Sequence, residues 1–137
     1  MSPKLDAFGI VVSDMARSVA FYRRLGLEFP EGAENSEHGH VEAEIGGGVR
    51  YMLDTEETVR SFNPEWKRPT DGHLLGGAFA CESPEEVDRV YAELVEAGGG
   101  PYKEPWDAFW GQRYAELLDP DGTVIDLYAW LPGKGPA

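Results

Sequence analysis

The chain has 137 residues, 42% of them apolar and 12% aromatic, enough for one compact domain with a real core. Its 25 acidic side chains against 12 basic ones give a formal net charge of −13. That balance argues against nucleic acid as a partner, because phosphate binding needs clustered Lys and Arg, and it favours the approach of cationic small molecules. The start, MSPKLDAFGI, has no basic region leading into an apolar signal core, and no apolar run is long enough to span a bilayer. A cytoplasmic protein with no membrane partner is therefore expected. The lone Cys81 excludes an internal disulfide and suits a reducing compartment; its apolar surroundings in sequence read as a buried structural thiol.

In chain order, residues 8–12 (FGIVV) form a first strand, and Ser13 and Asp14 are N-cap types for a helix over about 15–25. Met15, Val19 and Tyr22 fall on one face of that helix, and Gly26 closes it. Short strands follow at about 27–29, 41–45 and 49–53, the last two joined by three glycines. A connection over about 55–75 holds a short helix near 56–62 and breakers at Pro64 and Pro69.

The plan then repeats. A strand at 77–81 (GAFAC) leads to Ser83 as N-cap, Pro84 in the first helical position and Glu86 completing a capping box. Val87, Val90, Tyr91, Leu94 and Val95 draw the stripe of a core-facing helix, which ends at the glycines 98–100. Strands at about 102–103, 113–118 and 123–128 complete the second copy, the last two joined by the Asp-Pro-Asp-Gly turn at 119–122. The fold class is thus α+β: two tandem βαβββ modules, about 5–54 and 76–131, whose sheet faces each need a cover.

These tandem modules, with Ser-Asp after the first strand, FYRRLGL closing the first helix and RYAELLDPDGTVIDLY near the end, resemble the vicinal oxygen chelate superfamily. That group includes glyoxalase I, extradiol dioxygenases, fosfomycin-modifying enzymes and bleomycin-resistance proteins. The resemblance covers nearly the whole chain, 1–137, as one domain of that type. It implies a curved mixed sheet around a cavity, in a domain-swapped or side-by-side homodimer. The segments YMLDTEETVRSFNPEW and KEPWDAFWGQRYA are most similar to proteins that sequester mitomycin or bleomycin.

In the enzymes of that superfamily, His, Gln or Glu on the first and last strands of each module hold a divalent metal. The resemblance puts those positions here at Ala7 (or its neighbour Phe8), Gly76, Met52 and Asp126. Only Asp126 offers an oxygen, so neither a metal nor another cofactor is expected. A slip of one residue brings in Asp6 and still no imidazole. A rival set, His38, His40, Glu42 and Glu44, alternates along one strand, and its first three members are spaced to chelate a metal; a solvated strand face produces the same alternation. His73 lies in the connection as an exposed side chain. No nucleophile elbow, phosphate-binding loop or paired-cysteine motif occurs.

The binding residues expected instead are aromatic. Trp106, Phe109 and Trp110 fall within five residues on what reads as a loop, with Tyr102 upstream, and offer flat surfaces for planar rings. Trp66 and Phe62 flank Asn63-Pro64 in the connection. Alternation places Val124, Asp126 and Tyr128 on one face of the last strand, with Met52 at the matching place in the first module. Asp54 at its strand end, with Arg113 and Tyr114 on a neighbouring strand, adds polar groups. The leading expectation is a metal-independent protein that binds a planar or cationic, antibiotic-type molecule, with no catalytic residue. Two alternatives stay open. One is a metal-dependent lyase, isomerase, dioxygenase or thiol transferase using His38, His40 or Glu42. The other is a scaffold whose own side chains fill the cavity.

Overall fold

The structure is a computed structural model, and it describes residues 5–35, 37, 39–70 and 75–136. The chain divides into two compact units, Met1–Thr70 and Asp71–Ala137. Among the described residues there are three helices and two mixed sheets, one of three strands and one of four, an α+β architecture.

The N-terminal unit runs β1 (Ala7–Val12), α1 (Met15–Arg24), β2 (His40–Glu44), β3 (Arg50–Thr55) and α2 (Glu56–Phe62). Asp14 is the N-cap of α1, its carboxylate accepting from the Arg17 N–H at 3.0 Å, while Arg23 and Arg24 face the negative end of the helix. Met15, Ser18, Val19, Phe21 and Tyr22 form the buried side of α1. The sheet order is β1-β3-β2, with β1 parallel and β2 antiparallel to the central β3. Val41, Ala43 and Leu53 are buried, and the ring of Tyr51 meets that of Tyr22 at 5.2 Å. Alternation sends His40, Glu42, Met52 and Asp54 to the other face.

The strand expected at 27–29 does not form. The Leu27 N–H donates to the Tyr22 carbonyl at 3.1 Å across Gly26, whose φ is +93°. This closes the helix in a left-handed cap and takes the donor a strand would need. The Pro30 carbonyl accepts from the Arg23 guanidinium at 2.9 Å. The short helix expected near 56–62 forms as α2. Thr55 caps α2 through its side chain, and Arg68 bonds Glu56 at 2.6 Å and the Val11 carbonyl at 3.3 Å.

The C-terminal unit runs β4 (Gly77–Ala80), α3 (Pro84–Glu96), β5 (Gly100–Asp107), β6 (Gln112–Leu118) and β7 (Val124–Trp130). Ser83 caps α3 by accepting from the Glu86 N–H at 3.1 Å; the Glu86 carboxylate reaches back to the N–H of Glu82, one residue before the cap. The sheet order is β4-β7-β6-β5, with only β4–β7 parallel. Val87, Tyr91 and Leu94 of α3 are buried, as are Ala115 and Leu117 of β6 and Ile125, Leu127 and Ala129 of β7. Each fully buried leucine or isoleucine here contributes about 1.5–3 kcal/mol. The turn between β6 and β7 is set by Asp119: its buried carboxylate accepts from the N–H groups of Asp121 at 2.9 Å and Thr123 at 2.8 Å. Gly122, at φ +85°, supplies the left-handed residue.

Candidate functional site

The C-terminal sheet gives its second face a regular grid. Across β6 and β7, Tyr114 sits opposite Tyr128 and Glu116 opposite Asp126; across β5 and β6, Trp106 sits opposite Tyr114 and Lys103 opposite Glu116. β4 adds Ala78 beside Asp126 and Ala80 beside Tyr128, small residues that leave the face uncovered. Because Ile125 and Leu127 point into the core, alternation obliges Asp126 and Tyr128 to point out of it.

Trp106 corrects the sequence expectation. It lies within β5, which runs on to Asp107, and not in a loop. Irregular register between Pro101 and Lys103, and again between Lys103 and Trp106, bends the strand and turns the indole onto the grid. Phe109 and Trp110 occupy the turn that follows, closed by the Gly111 N–H donating to the Ala108 carbonyl, with Gly111 at φ +95°. The rings assemble edge to face: Trp106 with Trp110 at 6.0 Å, Trp106 with Tyr114 at 5.5 Å, Trp110 with Tyr114 at 5.3 Å and Phe109 with Trp110 at 5.1 Å. Tyr128 stacks on Tyr114 at 6.4 Å. Such pairs contribute about 0.5–1.5 kcal/mol each beyond their burial. The Trp110 indole N–H donates to Gln112 at 2.7 Å, which fixes the ring's orientation. Even so, Phe109 is 97% exposed and Trp110 is 44% exposed.

At the foot of the aromatic group, the Tyr114 hydroxyl donates to Asp126 Oδ2 at 2.5 Å. Burial, reinforced by this bond to a carboxylate, pushes the Tyr114 phenol well above its usual range, so it stays protonated as a donor. Asp126 keeps its second oxygen as an acceptor. Arg113, one residue from Tyr114, points to the opposite side and bonds Asp88 of α3 at 2.9 Å and Asp107 at 3.1 Å. The sequence expectation grouped Arg113 with Tyr114, but strand alternation separates them. Cys81 is half-buried; burial and the nearby Glu86 raise its thiol to about 11, which keeps it protonated at neutral pH.

The face of the N-terminal sheet opposite its buried side is charged. His40 Nδ1 lies 2.6 Å from Asp54, its Nε2 lies 2.7 Å from Glu42, and Glu42 in turn pairs with Arg50 at 2.7 Å. Hydrogen bonds that the His40 ring donates to Glu42 and Asp54 raise its pKa, and the same network lowers that of Glu42. Both imidazole nitrogens are thereby taken. The Met52 side chain lies on this face over Gly9, where an added Cβ would be 3.5 Å from its Cε. The guanidinium groups of Arg60 and Arg68 both lie over the Trp66 ring, at 5.2 and 5.6 Å from its centroid. His38 and His73 lie outside the described residues.

The donor set does not fit a chelated divalent metal. In the N-terminal unit the relevant strand positions carry Ala7 and Met52, with no nitrogen or oxygen to offer; in the C-terminal unit they carry Gly76 and Asp126. Gly76 is also sterically confined, since a Cβ there would come within 2.6 Å of the Val124 carbonyl oxygen. Among the described residues, no group of three or more His, Cys, Asp or Glu side chains is arranged to hold a metal ion. No helix among them is long and apolar enough to cross a membrane.

Lys103, Glu116, Gln112 and Tyr128 complete the grid, and only Tyr128 was placed by the sequence. The missing signal was the length of β5: once it reaches Asp107, its pairing with β6 puts Lys103 and Trp106 on the site face.

Comparison with known proteins agrees with this architecture. The family model described as "Glyoxalase/Bleomycin resistance protein/Dioxygenase superfamily" matches residues 4–127. The uncharacterized protein YraH of Bacillus subtilis (strain 168) is 28% identical over 130 residues, which cover 93% of this chain and 99% of YraH. A glyoxalase/bleomycin resistance protein/dioxygenase family enzyme from Burkholderia phytofirmans PsJN superposes with a TM-score of 0.78 at 21% identity, covering 94% of this chain and all of that one. A glyoxalase/bleomycin resistance protein/dioxygenase from Nocardioides is 27% identical with a TM-score of 0.71, covering 100% and 89% of the two chains. With the repeated strand plan and the match over both units, the chain belongs to the glyoxalase/bleomycin resistance protein/dioxygenase superfamily.

Proposed function

We propose that the protein is a metal-independent binder of planar or cationic organic molecules of the antibiotic type, acting by sequestration and as a homodimer. The observation that carries this reading is the exposed aromatic group on the C-terminal sheet with a carboxylate at its foot. Trp106, Trp110, Phe109 and Tyr114 offer ring faces and edges for stacking, and Asp126 offers an acceptor for a donor or cation on the ligand. Sequestration needs no chemical step, in keeping with the absence of ligating side chains at Ala7, Met52 and Gly76. Asp54 and Trp66 drop out of the ligand set: Asp54 is paired with His40, and two guanidinium groups lie over the Trp66 ring.

Titration with mitomycin- and bleomycin-type compounds, read by tryptophan fluorescence, tests the proposal. Saturable quenching with a dissociation constant below tens of micromolar is expected; no quenching in that range sinks it. Sedimentation at the same concentrations checks the dimer.

A further inference from the structure

The aromatic group already carries a cation of its own. Lys103 Nζ lies 4.0 Å from the centroid of the Trp106 ring, within the range where an ammonium is attracted by an indole face. The Lys103 side chain is exposed, so its flexible four-carbon stem holds this position against free solvation. Its cross-strand partner is Glu116, which is the cross-strand partner of Asp126. An ammonium leaving Trp106 therefore has carboxylates close by on the same sheet face. The Trp106 indole is thus already covered by a cation of the protein's own.

We propose that Lys103 is an internal competitor that sets the selectivity of this site: a planar cation binds by displacing the Lys103 ammonium from Trp106. This rests on the binding reading above and adds a residue and a ligand class to it. Displacement penalises every cationic ligand twice, because the ammonium must give up the indole face and because its like charge then stays near the ligand. A neutral ring that uses Trp110 and Phe109 leaves Lys103 in place. Lys103 thus holds the site's preference for cations below what its aromatic and acidic groups would otherwise give.

The test uses two rigid tricyclic probes of similar size, cationic proflavine and neutral acridone, titrated calorimetrically into the full-length protein. Lys103→Met keeps the stem and removes the charge. It is expected to bind proflavine about three- to tenfold more tightly, the range given by one cation–π contact, and acridone within about twofold of the unchanged protein. Lys103→Arg, which restores a cation, is expected to return proflavine affinity to the original value. Equal or weaker proflavine binding by Lys103→Met overturns the competitor role alone, as does an equal gain for acridone, which would mean simple steric unblocking. Binding of neither probe by any of the three proteins overturns the aromatic site itself.

Discussion

The two sheets share a backbone plan and diverge in what they display. Residues at matching register are His40 and Tyr114, Glu42 and Glu116, Met52 and Asp126, Asp54 and Tyr128, with Gly9 beside Met52 and Ala78 beside Asp126. Behind them the cores agree: Leu53 and Leu127 hold the same place, and neither is exposed. The front of the N-terminal sheet is a self-satisfied network of charges, while the front of the C-terminal sheet is a set of rings with surface to spare. The buried faces match because packing permits few exchanges there. The open faces were free to take different chemistry, and the proposed binding capacity lies in the C-terminal unit.

The largest effect should come where the two units agree. Leu53→Ala and Leu127→Ala are each expected to cost about 2–5 kcal/mol, measured by urea unfolding. A loss at one site several-fold smaller than at the other would break the equivalence of the two cores. Next comes a change on the open face: Trp110→Ala should weaken ligand binding by about tenfold and, because it removes three ring pairs, also cost about 1–3 kcal/mol of stability. Unchanged affinity would move the site elsewhere. Tyr114→Phe removes the donor to Asp126 and should cost about 1 kcal/mol, with circular dichroism melts reading the loss.

The smallest expected effect is a pH dependence carried by the N-terminal unit. Glu42 and Asp54 raise the His40 pKa, so it is the protonated form that stabilises the fold. That contribution is complete below about pH 6.5, the ordinary histidine value, and is lost as pH rises through the elevated one. Because His40 is 43% exposed, solvent screens the effect. His40→Gln should flatten the slope of stability against pH above about 6.5; a slope that survives the substitution assigns it to other groups.

Much of the fold was legible because local signals and periodicity agreed. Ser83 and Pro84 marked the start of α3, the glycines after Ile45 marked a hairpin, and the stripe on α3 marked its buried side. The strand expected at 27–29 failed because a helix cap competed for its backbone, and three apolar residues carry no record of that competition. Trp66 and Asp54 were legible as candidates but not as satisfied groups. Their partners, the two arginines and His40, lie from two to fourteen residues away, and only the folded chain shows which side chains close on them. The aromatic site itself was readable in outline, since Trp106, Phe109, Trp110 and Asp126 all declare their chemistry. Lys103 was not, because nothing in its type or spacing shows that a bent strand will lay it across an indole.

Every side chain of the aromatic grid on β5, β6 and β7 comes from one continuous run, Lys103 to Tyr128, folded back on itself through Asp119 and Gly122. A site assembled from distant pieces of chain can change only by coordinated substitutions. This one is contained in a segment of sequence short enough to be exchanged whole, with its own turn and its own register. Transplanted between relatives that share the buried face of the sheet, such a segment would carry its ligand preference with it, so new specificities need no redesign of the core that supports them.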